Sequence, residues 1–423
     1  MTNLPVNGRR LWADVMSLAE ITEPERPYTR SAFTPRFLEG RDFLRDRFEA
    51  AGLDTRIDVA GNLIGRRPGR NPGTGTILIG SHSDTVPNGG RFDGAAGVIA
   101  ALEVARSLHE RAETLEHDLE VVDYLAEEAN PYGVSCVGSR GVAGRLSSDM
   151  LNYAEPGGEI VAEALRRMGG DPGRISEAVR KDILGYVELH IEQGRVLESE
   201  GIDIGIVSGV VGIMRLEIVV EGRADHAGTT PMSLRSDALY GAAEIIRAIR
   251  RKGADLAGAG LGYFAATVGV LDNAPNAANV ISASTRLIVD ARAEKRSTME
   301  YFAHWTKDTL HSIAIDAGTR LSRLAVLSDS REAIADAWLM KAVSEAADSL
   351  GLTWRKMASG AGHDAAHISH IAPMAMIFTP CREGRSHCAG EWVEPEQLAA
   401  GAAAMFETVK RIDRAHAKPS TAE

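Results

Sequence analysis

The sequence predicts an α/β protein built on a mainly parallel sheet, with a second, α+β domain inserted into it. Two patterns carry this expectation. Short apolar runs stopped by Gly or polar turns alternate with helical stretches, and the runs are continuously apolar, as strands covered on both faces are. From about residue 211 the texture changes to strands of alternating polarity, in the order β-α-β-β-α-β of a ferredoxin-like split unit. A length of 423 residues is too great for one ordinary core, which agrees with domains at 1–210 with 329–423 and at 211–328.

The elements follow in order. Residues 9–20 and 36–51 read as amphipathic helices, the second ending at Ala51-Gly52. Strands are expected at 61–65 and 76–80, a helix with one small-residue face at 95–110, and a strand at 119–125. Strand 185–190 leads into a helix that begins near Glu192. The second domain takes strand 213–220, helix 232–252, strands 262–271 and 281–291, helix 297–316 and strand 321–328. Thr230 is placed to cap its first helix and Pro231 to start it. Helix 333–350, strand 374–379 and helix 395–413 return to the α/β style, and the tail after Ala415 reads as frayed.

Composition excludes several classes of function. A net charge of −11 argues against a nucleic-acid partner, which needs a clustered basic face. Three cysteines (Cys136, Cys381 and Cys388) without CxxC spacing make a poor disulfide framework and point to a reduced, cytoplasmic setting. The N-terminal stretch has no long apolar core, and no run approaches about 18 apolar residues, so neither a secretion signal nor a membrane span is expected.

Ligands of open parallel sheets gather outside the carboxyl ends of the strands. His82, the pair Glu127–Glu128 and His190 all fall at or just beyond such ends, and His387 follows strand 374–379. A His at a strand end suits a cation such as zinc, and Asp84 is placed to accept the other imidazole N–H and fix its tautomer. Asp93 sits on a Gly-rich loop before a helix, where a carboxylate can turn inward. Adjacent carboxylates repel, so a Glu-Glu pair facing a site implies a nearby cation; one can bind it while the other takes a proton from water. Three His and two or three carboxylates are the mix expected for paired divalent ions roughly 3.5–4 Å apart sharing one carboxylate and one water. Each of these residues alone reads as an ordinary polar loop group. Their shared position at successive strand ends makes the site.

The stretches GSHSDTVPNGGRFDGAAGV (80–98), AEEAN (126–130), HIEQG (190–194), DHAGTTPM (225–232), NAANVI (276–281), SGAGHDA (359–365) and SHCAGE (386–391) span most of the chain. In that order they resemble the amidase, hydantoinase/carbamoylase family of the dinuclear metallo-aminoacylase and carboxypeptidase superfamily. Its members include N-carbamoyl-L-amino acid hydrolases, allantoate and ureidoglycolate amidohydrolases and β-ureidopropionases. The resemblance implies a metallohydrolase domain with an inserted dimerisation lid, and hydrolysis of a carbamoyl C–N bond. It implies two divalent metal ions, zinc or else manganese, cobalt or nickel. His82 and His190 would hold one ion, Glu128 and His387 the other, and Asp93 would bridge them. Glu127 would move the proton from water to the leaving nitrogen, and Asp84 would orient His82. The substrate would be a small molecule with a free carboxylate, bound by Arg292 in a bidentate fork and by Asn279, with Gln193 lining the pocket of the scissile group. In a homodimer, His226 would reach across the subunit interface to stabilise the oxyanion.

Two stretches depart from that pattern. Members that cleave ureido substrates commonly carry Gly and then Arg-Phe shortly after the paired Glu, where this chain has Ala129-Asn130-Pro131-Tyr132-Gly133. After the last His they commonly have Asn-Pro-Ala-Glu, where this chain has Cys388-Ala389-Gly390-Glu391. N-acyl amino acids or other small carboxylate-bearing amides therefore stand as an alternative substrate class, and an inactive binding protein on the same fold as a second alternative. His363, His367 and His370 follow helical spacing but read as a solvated face, with His363-Asp364 in the site wall.

Overall fold

The computed structural model describes residues 4–417. The chain divides into two compact units: one runs up to Ser208 and resumes at Ile334, and the other is Gly209–Ala333.

The sheet of the first unit follows the order Asp54–Ile57, Leu63–Arg67, Asp118–Tyr124, Thr76–His82, Ile183–Ile191, Met374–Thr379 and Ile204–Val210. Its middle four strands, from Asp118–Tyr124 to Met374–Thr379, are parallel. The pairs flanking them are antiparallel. The parallel middle is the most deeply buried part: Thr76–His82, Asp118–Tyr124 and Met374–Thr379 are buried at every position, which explains their unbroken apolar texture. Helix Ala95–Glu110 packs on this sheet, with Gly97 against strands Thr76–His82 and Ile183–Ile191, and its Ala96, Ala100 and Ala101 are buried. A Cβ at Gly97 would overlap the carbonyl of Leu189, so the small face sets how closely helix and sheet approach. Register then does the positioning. His82 pairs with Tyr124, and His190 pairs with Phe378, so the ends of these strands lie side by side.

In the second unit, helices Ala238–Gly258 and Arg296–Asp316 accompany an antiparallel sheet of order Arg320–Asp329, Gly212–Glu221, Ser284–Ala293 and Phe264–Ala274. The alternating burial of Gly212–Glu221 puts Met214, Leu216, Ile218 and Val220 into a core with Ile245, Leu287 and Phe302.

Several expected boundaries move. The helix expected near Glu192 is only Val196–Glu200, because Gln193 takes a left-handed φ of 55° and Glu192 turns its carboxylate onto the N–H groups of Val196 and Leu197. Thr230 does not cap the first helix of the second unit. A short 3-10 turn, Met232–Leu234, intervenes, and Asp237 caps by accepting from Leu239 and Tyr240. The expected helix at 333 starts at Ala337, capped by Asp336. Strands Asp54–Ile57, Ile204–Val210 and Trp354–Ser359 carry no sequence expectation. The last helix runs to His416, so most of the tail expected to fray lies outside the described residues. Among the described residues no helix is long and apolar enough to cross a membrane.

Candidate metal centre

His82 is the last residue of its strand and is buried. Its Nδ1 lies 3.1 Å from the Asp84 carbonyl oxygen and donates to it, which turns Nε2 toward Asp93 Oδ1 and Glu127 Oε2, each 3.7 Å away. His190 repeats the device: Nδ1 donates to the Ile191 carbonyl at 2.9 Å, and Nε2 faces Asp93 Oδ1 at 3.1 Å. The other Asp93 oxygen, Oδ2, is 3.1 Å from His387 Nε2, which is itself 3.1 Å from Glu128 Oε1. Two triplets result, His82–Asp93–His190 and Asp93–Glu128–His387, each with its ligand atoms within 4.8 Å of one another. Asp93 belongs to both. Gly94 makes the approach possible, because it has φ 61° and a Cβ there would overlap the His82 ring.

Asp84 acts differently from expectation. Its carboxylate stands 3.6 Å from His82 Nδ1, and the carbonyl takes the closer contact. The carboxylate instead accepts the N–H groups of Glu127 and Glu128, at 3.2 and 3.1 Å. Ala126 is left-handed, with φ 54°, and the two successive amides beyond it converge on one carboxylate. Asp84 thus fixes the turn that presents both glutamates. Gln193, expected near the scissile group, donates to Asp93 Oδ2 at 2.7 Å.

The cluster calls for positive charge. Burial alone would raise Asp93, but His190, His387 and His82 outweigh it and hold it well below the usual carboxylate range. Hydrogen bonds to Asp93 and Glu128 push His387 up to about 11. Burial lowers His82, yet Glu127, Asp84 and Asp93 carry it well above the ordinary range. Glu127 is raised well above an ordinary carboxylate by burial and by Glu128, Asp364 and Asp84, against the pull of His82. Imidazole nitrogens and carboxylate oxygens gathered around one shared Asp are the donor set divalent ions take, and the residues fit such ions.

In the second unit, His226 pairs with Val280 in an isolated bridge, and the Ala227 N–H donates to the Asn279 carbonyl at 3.0 Å. The two expected substrate residues on these segments are thereby brought together. His226 is exposed, and its Nδ1 accepts N–H groups from Gly228 and Thr229 at 3.1 and 3.2 Å. Nδ1 therefore carries no hydrogen in the neutral ring, and Nε2 is the donor. Arg292 lies on strand Ser284–Ala293, its Nε bonded to Asp290 Oδ1 at 2.8 Å.

A sequence profile of peptidase family M20/M25/M40 matches residues 78–411. This chain belongs to that family. The M20-family chain is 37% identical over 410 residues to an N-carbamoyl-L-amino acid amidohydrolase of Geobacillus stearothermophilus, covering 96% of this chain and 99% of that one. It is 32% identical over 388 residues to an allantoate amidohydrolase of Bacillus subtilis (strain 168), with 91% and 92% covered. Among solved structures, an amidase of the hydantoinase/carbamoylase family from Burkholderia multivorans matches with a TM-score of 0.90 at 34% identity, covering 96% and 98%. The M20-family protein is an amidohydrolase of carbon–nitrogen bonds other than peptide bonds.

Some residues around the centre of this M20-family chain escape sequence reasoning. His363, expected with Asp364 in the site wall, is buried: helix Ala365–Ile368 starts after it, and its ring meets that of His190 edge-on at 4.5 Å. His367 is half-buried and His370 exposed, so the three do not form one face. Cys136 sets its thiol 3.5 Å from Glu127 Oε1. Ser386 donates toward Asp93 Oδ2 at 2.7 Å. Ser386 opens the stretch SHCAGE (386–391) beside His387, a signal that could have singled it out, and Cys136 carries none.

Proposed function

We propose that the protein hydrolyses the carbamoyl C–N bond of N-carbamoyl-L-amino acids or related ureido acids at a centre of two divalent ions. The observation that supports this best is the pair of ligand triplets sharing Asp93, with Glu127 beside them. His82 and His190 would hold one ion, Glu128 and His387 the other, and Asp93 both. Bound there, such ions supply Lewis-acid activation of a water and of the scissile carbonyl near neutral pH. Zinc suits the donors, and manganese, cobalt or nickel fit the same set.

Glu127 Oε2 takes the proton from the attacking water and returns it to the leaving nitrogen. Its burial and its carboxylate neighbours favour that proton uptake. Asp84 keeps Glu127 and Glu128 in register through their N–H groups and holds His82 through its carbonyl. Gln193 restrains Asp93 at the edge of the scissile group's pocket. The substrate carboxylate goes to Arg292 and Asn279, where a guanidinium and an amide match its two oxygens. His226, with Nε2–H as its donor, stabilises the oxyanion across the interface of a homodimer in which Gly209–Ala333 is the dimerisation unit. The relatives named for N-carbamoyl-L-amino acids and allantoate support the ureido class.

The test is a panel of N-carbamoyl-, N-formyl- and N-acyl-amino acids plus allantoate on metal-reconstituted protein, with and without chelator. Chelator-sensitive ammonia release from ureido substrates is the expected result. Turnover of N-acyl amino acids alone overturns the ureido assignment, and no turnover of any compound removes the substrate reading altogether.

A further inference from the structure

Glu391 belongs to neither ligand triplet, yet it is fully buried beside them. Its Oε1 accepts the backbone N–H groups of Phe92 and Asp93, at 2.7 and 3.0 Å. Its Oε2 lies 2.9 Å from the Ser386 hydroxyl, which lies 2.7 Å from Asp93 Oδ2. That hydroxyl has one proton and two carboxylate oxygens facing it, so it serves one at a time and ties the two groups together. The chain also makes room for this contact. A Cβ at Gly90 would overlap the Glu391 carboxylate, and Gly90 has none.

The two segments so joined have no ladder of their own. Residues 83–94 and 380–394 contain no strand and, apart from the short turn Arg382–Gly384, no helix. One carries Asp93 and the other His387. Each oxygen of Asp93 faces a different triplet, so a small rotation of its loop would take one oxygen away from its partners. Without Glu391 the N–H groups of Phe92 and Asp93 lose their acceptor in a buried place, and the loop turns to find another.

We infer that Glu391 and Ser386 are positioning residues that latch the His387 loop to the Asp93 loop and hold the Asp93 carboxylate between its two triplets. The inference rests on the proposed divalent-ion centre. Outer partners of a metal ligand fix its orientation, and their loss weakens binding by about 10–100-fold.

Calorimetric titration of metal-free, full-length protein with Mn²⁺ tests this without any turnover measurement. The unmodified protein takes two ions per chain. Glu391→Ala removes the acceptor, and Gly90→Ala pushes the carboxylate aside while removing no polar group. Both weaken at least one ion by about 10–100-fold. Glu391→Gln keeps a carbonyl oxygen for the two N–H groups and recovers most of that loss, which a general packing defect would not do. Circular dichroism shows which variants fold, and Gly90→Ala carries the test if Glu391→Ala does not. Isotherms of the folded variants that overlay the unmodified protein overturn the latch. An unmodified protein that takes up no Mn²⁺ overturns the ion centre itself, and that result appears before any variant is made.

Discussion

Replacing Glu127 by Gln removes a proton acceptor and leaves almost everything else in place. The residue is 8% exposed and makes no short hydrogen bond: Oε2 is 3.7 Å from His82 Nε2 and Oε1 is 3.5 Å from the Cys136 thiol. Its position is set by the backbone, through the N–H donated to Asp84. An amide of equal size therefore keeps the packing, and neither triplet loses a ligand atom. Only proton uptake disappears. General-base assistance is worth roughly 10²–10⁴-fold, or about 3–5 kcal/mol of barrier at roughly 1.4 kcal/mol per decade. The assay is kcat for ammonia release with the metal content of the same sample measured alongside. The expectation is a fall of about 10²–10⁴ in kcat with metal content and melting temperature unchanged. A kcat close to that of the unmodified protein refutes the role. A loss of bound metal in step with the lost activity would reassign Glu127 as a ligand.

Other perturbations probe neighbouring parts of the site. Gly94→Ala forces a side chain onto φ 61° and into the His82 ring, so metal content measured by mass spectrometry should fall while the fold survives. In the metal-free protein His387 is raised to about 11, so its protonated form stabilises the fold fully below its ordinary value of about 6.5. That stabilisation is lost as pH rises through 11. If His387 holds an ion as proposed, uptake would displace this proton, so Mn²⁺ affinity should rise with pH across that window. Calorimetry at pH 8 in two buffers of different ionisation heat checks this, and equal heats would sink it. If His226 acts across a dimer, mixing inactive His226→Ala and Glu127→Gln chains restores one intact site per mixed dimer, about a quarter of full activity on random exchange. Absence of any recovery after exchange contradicts the shared site.

Much of the fold is legible in the residues because burial writes a pattern. Thr76–His82 and Asp118–Tyr124 are buried on both faces and read as unbroken apolar runs. Ala95–Glu110 is legible because a stripe of Ala and Gly is what close packing on a sheet requires. The strand Asp54–Ile57 escapes because no residue in it is fully buried, so its composition is that of a loop. The helix expected at Glu192 fails for another reason. A side chain that bonds backbone N–H groups ahead of it, next to a left-handed Gln193, moves the start to Val196. That competition between side chain and backbone leaves no periodic mark.

By itself the sequence determined which chemistry could assemble. It placed His82, Glu127–Glu128 and His190 at strand ends, and its motifs joined Asp93 and His387 to them. Ligand identity is a property of single residues, and strand ends are marked by the apolar runs before them. Tertiary structure alone decided the geometry: which Asp93 oxygen faces which histidine, that Asp84 serves His82 by its carbonyl and the glutamates by its carboxylate, and that Glu391 closes on Phe92 and Asp93. Those contacts join residues as far apart as 299 positions, and they depend on ångström-scale register between loops that no local pattern encodes.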